Sequence, residues 1–120
     1  MNEYDNEVHE RWGNTDAYKQ SQSKSSKYSK EDFEVAKVDQ EAATELFVYA
    51  FGNSLPLDSD RTRAAVLAHR VAITKWFYDC SIEMQKNLAV MYVEDPRFKE
   101  YYDGRVRGLA QYVHDAIHSQ

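Results

Sequence analysis

The stretch "SKEDFEVAKVDQEAATELFVYAFGNSLPLDS", residues 29–59, decides the fold class. Ser29 is followed three residues later by Asp32, an acidic variant of the capping box that opens a helix. Phe33, Ala36, Ala43, Phe47 and Ala50 then recur at spacings of three, four or seven, the period of one helix face. The pattern predicts a helix from Ser29 to about Phe51. Gly52 reads as its left-handed stop, and "NSLPLDS" with Pro56 as the connecting loop.

The same period continues toward the C-terminus. Ser59 or Asp58 can cap a second helix whose apolar stripe is Val66, His69, Ile73, Trp76, Phe77 and Cys80. From Ser81 to Glu94 the face is Met84, Leu88, Met91 and Tyr92. This run is either a kinked extension or a separate helix entered through "DCS". Asp95 and Pro96 form a cap and first-turn pair for a short helix through Tyr102, closed by Asp103 and Gly104. Val106, Leu109, Val113 and Ile117 give a final stripe. No alternating strand pattern, repeat or hairpin dipeptide interrupts these segments, so the expected class is all-α.

Length and charge narrow the function. A chain of 120 residues supports one core. Its net charge of −5 opposes approach to a phosphate backbone, so direct nucleic-acid binding by this chain is not expected. No apolar run reaches the roughly 18 residues a membrane span needs, and no signal peptide is read. The expectation is a cytoplasmic protein without a membrane partner. One cysteine excludes an internal disulfide framework. Nine tyrosines against four glycines supply rigid amphipathic surface suited to a lined cleft.

Ahead of residue 29 the composition changes. Tyr4, Val8 and Trp12 could share a short helix, and Asn14 or Thr15 could cap another from Asp16. Beyond Tyr18, "KQSQSKSSK" offers no aliphatic face, so this leader is expected to stay mobile unless something covers it. Its aromatics read as contacts awaiting a partner.

Five motifs carry a resemblance: "EVHERWGNTDAY" (7–18), "SKYSKEDF" (26–33), "FYDCSIEM" (77–84), "MYVEDPRF" (91–98) and "GLAQYVHDAI" (108–117). Together, in order and spacing, they resemble the TipAS family. These are effector-recognition domains at the C-terminus of certain MerR-type transcription activators, found also as free-standing drug-binding proteins. The resemblance implies an all-α, globin-like fold with a cleft for large hydrophobic antibiotics of the thiopeptide type, walled here by the helices at 59–80 and 82–94. Residues 1–28 would be a flexible lid and residues 29–120 the ligand-binding domain. Lid contacts would come from Trp12, Tyr18 and Tyr28. On the cleft side they would come from His69, Phe77, Tyr78, Met84, Asn87, Met91 and Tyr92.

In members that trap ligand covalently, a cysteine after the "YDC…EM" motif adds to a dehydroalanine of the antibiotic. Asn87 stands at that position, so reversible binding is expected. Cys80 matches the family's other, non-capturing cysteine. It reads as a packed small hydrophobe, with Asp79 raising its pKa and no basic residue nearby to lower it. Arg107 replaces a frequent proline before "GLA", and Phe77 and Gln85 replace histidines of several members.

Other chemistries fare less well. His69 in an apolar stripe of a globin-like fold invites haem, but nothing else marks a cofactor, and none is expected. His114 and His118 have helical metal-ligand spacing, yet two ligands do not make a site, and no metal is expected. Trp76 reads as core. Asp79 and Glu83 lack an activated nucleophile, so no catalytic residue is assigned and an enzyme is not expected. If the chain belongs to a MerR-type regulator, its DNA contacts would lie in a winged-helix domain upstream, and the parent is expected to be dimeric and this stretch monomeric. The alternatives are a free-standing drug-sequestering protein and a protein-interaction or dimerisation module.

Overall fold

A computed structural model describes residues 16–120. Six helices follow one another: α1 (Asp16–Ser25), α2 (Lys30–Gly52), α3 (Asp60–Trp76), α4 (Ile82–Glu94), α5 (Pro96–Asp103) and α6 (Leu109–His118). No strand occurs among the described residues.

Most helix starts are written locally. Ser29 and Asp32 make both capping-box bonds, Asp32 N–H to Ser29 Oγ at 3.2 Å and Ser29 N–H to Asp32 Oδ2 at 3.0 Å. Ser59 and Ser81 accept from the N–H groups of Thr62 and Met84 at 3.2 and 3.0 Å. Asp95 accepts from Arg97 N–H at 2.9 Å, with Pro96 beginning α5. Each side chain satisfies an amide that the helix itself leaves unpaired.

Helix α6 occupies the centre and packs on α2, α3, α4 and α5. Leu109, Val113 and Ile117 on its stripe are fully buried with Phe47 and Ala65. Helices α2 and α3 lie antiparallel and close, because alanines line the seam: Ala36 and Ala43 on one side, Ala72 on the other. Asp39 in the first half of α2 meets Trp76 and Lys75 at the end of α3, the Trp76 Nε1–H donating to Asp39 Oδ2 at 2.7 Å. That bond, first among the causes, holds the Asp39 carboxyl below its usual range. Gly108 enters α6 with φ at 91°, and the Phe51 ring would stand 3.3 Å from any Cβ added there. The positive φ favours glycine, and a side chain there would also press on the Phe51 ring.

Several expectations need correction. The helix from Ser29 includes Gly52, and the left-handed residue that turns the chain is Ser54, with φ at 53°. Phe33 is 49% exposed and leaves the core stripe, its ring instead meeting Tyr28 edge-on at 5.6 Å. Ile73 and Phe77 pack half-buried against the core. Val106 lies in the turn before α6, its carbonyl accepting from Leu109 N–H. The open choice at "DCS" resolves as a break: Phe77 and Tyr78 both donate to Ile73 O, and Ser81 starts α4 afresh.

Candidate ligand-binding site where α3 and α4 cross

Helices α3 and α4 meet through side chains rather than backbone. Long polar side chains bridge them. Gln85, buried on α4, donates through Nε2 to Val66 O and to His69 Nδ1, both at 2.8 Å. With Nδ1 accepting, the proton of the neutral ring is on Nε2, which donates to Tyr92 Oη at 2.9 Å. Arg70 closes the seam, its Nη1 donating to Gln85 Oε1 at 3.2 Å. Burial, assisted by the Arg70 charge, holds the His69 pKa down to about 4, so the ring is neutral at physiological pH. Burial also pushes the Tyr102 hydroxyl, bonded to Tyr92, well above the usual phenol range.

The described leader reaches the far end of α3. The last carbonyls of a helix lack internal partners, and its C-terminus attracts positive charge. Lys24 Nζ donates to Thr74 O at 2.8 Å and Tyr28 Oη–H to Trp76 O at 2.7 Å. Gln20 accepts from Asp79 N–H at 2.8 Å. The described part of the leader thus contains a helix, and its bonds to α3 and the turn after it are polar. Tyr28 lies edge-on to Trp76 at 5.4 Å.

The expected contact residues are distributed unevenly. Trp12 lies outside the described residues, as do the proposed cap residues Asn14 and Thr15, and Tyr18 is described only as part of α1. His69 and Tyr92 touch each other in the seam; both are buried, as is Tyr78. His69 and Phe77 also line a slot between α2 and α3, but at about 10 Å³ it has room for little more than one water. Met84 and Met91 are half-buried on α4, with exposed Asn87 on the same side by helical spacing. Arg70 was not singled out from sequence, and Gln85 only as a departure from the family. The available signal was Gln85 at helical spacing from Leu88 and Tyr92 on an apolar face.

Cys80 is buried, and burial pushes its thiol up from 9.0 to about 11. Arg70 is the basic neighbour that opposes this shift, so the expectation that no basic residue lay nearby is corrected. At pH 8 iodoacetamide should alkylate native Cys80 about two orders of magnitude more slowly than a free cysteine, since only thiolate reacts. Denaturant should restore the ordinary rate; rapid native labelling, followed by mass spectrometry, would contradict the burial assignment.

His114 and His118 spend their Nδ1 atoms within the helix, on Asp115 Oδ1 and on His114 O respectively, each at 2.9 Å. Among the described residues no group of three His, Cys, Asp or Glu could hold a metal. None of the described helices is long and apolar enough to cross a membrane.

Six packed helices, the third and fourth bridged by buried polar side chains, make an all-α, globin-like domain. The chain belongs to the family of TipAS antibiotic-recognition domains, whose family model matches residues 4–120. It is 43% identical over 115 residues to the HTH-type transcriptional activators TipA of Streptomyces coelicolor and Streptomyces lividans, covering 96% of this chain and 46% of theirs. The chain thus spans about half the length of those relatives. The HTH-type activator mta of Bacillus subtilis is 33% identical over 60 residues, covering 50% of this chain and 23% of mta. TipAS of Streptomyces lividans, solved with nosiheptide as part of a thiopeptide antibiotic multidrug resistance system, superimposes with a TM-score of 0.86. The identity is 43%, and the match covers 95% of this chain and 80% of that one.

Proposed function

We propose that this domain binds thiopeptide-type antibiotics reversibly where α3 and α4 meet, with residues 1–28 closing over the bound molecule. The observation that carries this reading is the 0.86 TM-score to nosiheptide-bound TipAS at 43% identity. Thiopeptides are rigid macrocycles of azole rings, so flat side chains can stack on them with little entropy lost on the ligand's side. Ordering a lid costs about 2–5 kcal/mol of the gross interaction energy, a cost compatible with admitting ligands of different shape. The role is capture without chemistry, in the cytoplasm, by a monomeric unit. In a longer HTH-type activator, closure would act on DNA by favouring one arrangement of the remaining chain.

An amide NMR titration with nosiheptide tests the reading. Leader signals should disperse and resonances of α3 and α4 should shift; a spectrum unchanged at saturating ligand would remove thiopeptides as the ligand class.

Asn87 decides whether capture is covalent. An amide does not add to a dehydroalanine, so intact mass after incubation with thiostrepton should show unmodified wild-type protein. Asn87 is exposed on α4, so Asn87→Cys should be reachable and gain one ligand mass. An adduct on the wild type would contradict reversibility.

A further inference from the structure

We propose that Arg70 is the residue that grips hydrogen-bond acceptors of the ligand, the carbonyl oxygens and azole nitrogens of an uncharged macrocycle. The inference rests on the antibiotic-binding reading and adds a named polar anchor to a site otherwise described by aromatic and thioether surface.

Arg70 stands on α3 at the crossing with α4, half-buried, and spans the gap to Gln85. Its position is fixed from behind. The Gln85 amide cannot rotate without losing its bonds to Val66 O and His69 Nδ1, so Oε1 is held toward Arg70. His69 is locked in turn by Tyr92. One arm of the guanidinium is therefore oriented before any ligand arrives, which reduces the entropy lost on binding.

The rest of the fork is unspent. Nη1 to Gln85 is the hydrogen bond Arg70 makes among the described residues, and no carboxylate there pairs with it. Arg105 provides the contrast. It is tied to Glu41 and lies over the Tyr101 ring at 4.4 Å, and its Nε is the described residues' buried side-chain polar atom without a partner. Among the described residues no nitrogen of Arg70 is both buried and without a partner, so its remaining N–H groups are not sealed in the core. An uncharged, acceptor-rich ligand can take these donors without separating an existing ion pair. A cationic ligand would meet an uncompensated like charge.

The test is a nosiheptide titration of wild type, Arg70→Met and Arg70→Lys, with arginine side-chain NMR on the wild type. A hydrogen bond from a charged donor corresponds to about 10–100-fold in affinity, so Arg70→Met should bind that much more weakly. Arg70→Lys should recover only part of the loss, lacking the fork. In the wild type, exchange of the Arg70 guanidinium protons with water should slow on ligand addition. Lid closure slows exchange at any covered group, so the discriminating readout is a scalar coupling across a hydrogen bond from an Arg70 N–H to a ligand acceptor, which a purely structural arginine does not show; this readout stands even if the variants fold poorly. Wild-type binding without that coupling, or Arg70→Met within twofold of wild type, would overturn the assignment while leaving the binding reading intact. A wild type that does not bind nosiheptide at all would overturn both.

Discussion

Phe47→Ala is expected to lower unfolding stability by about 3–5 kcal/mol, the range for deleting a buried phenylalanine ring. Phe47 is 0% exposed, faces the His69 ring at 6.2 Å and belongs to the cluster shared with α6. Its neighbours Ala43 and Ala50 are too small to fill the void, so most of the cavity should persist. Against a total stability of about 5–15 kcal/mol the loss is large, and the melting temperature should fall by about 10–20 °C. Val38→Ala on the same helix is the control. Val38 is 65% exposed, and its truncation should stay within about 0.5 kcal/mol. Denaturant melts of both variants check the pair; equal losses would mean that α2 does not present this face to the core.

The second large effect is a loss of stability in mild acid. His69 has a folded pKa of about 4 against 6.5 for an unperturbed histidine. Above pH 6.5 the ring is neutral in both states and contributes nothing to pH dependence. As pH falls below 6.5 the unfolded chain takes up a proton that the folded chain refuses, so the unfolded state gains. The loss is complete near pH 4 and amounts to about 3 kcal/mol. Carboxylates add their own loss lower down and the chain holds three other histidines, so the His69 contribution is the difference between wild type and His69→Gln from pH 6.5 to about 4.5. His69→Gln should lose stability less steeply across that window while leaving the acid limb in place. Identical pH profiles for variant and wild type would show that His69 does not resist protonation in the fold.

Helix starts were legible because their causes are local. Ser29 with Asp32, Ser59, Ser81, and Asp95 with Pro96 each act within three residues, and the structure uses every one. Helix ends were less legible. Gly52 was the natural residue for a left-handed turn, yet Ser54 adopts it, since the loop geometry that returns the chain to α3 fixes where the turn falls. The candidate site was legible as a set of residues and not as an arrangement. His69 and Tyr92 were both singled out, but nothing in their separate helical stripes says that they bond to each other. Tyr28 read as an aromatic without a partner because Trp76 is 48 residues away in sequence.

By itself, then, the sequence determined an all-α chain, its helix starts, the alanine and leucine faces that form one core, and the replacement of a capturing cysteine by Asn87. The tertiary structure alone decided that Gln85 and His69, 16 residues apart, share one proton arrangement. It also brought Lys24 to the α3 carbonyl of Thr74 across 50 residues and Arg70 to Gln85 across 15. The physical reason is range: caps and periodicity act within a turn or two, whereas a polar group's partner and its contact with water depend on which helices pack against it.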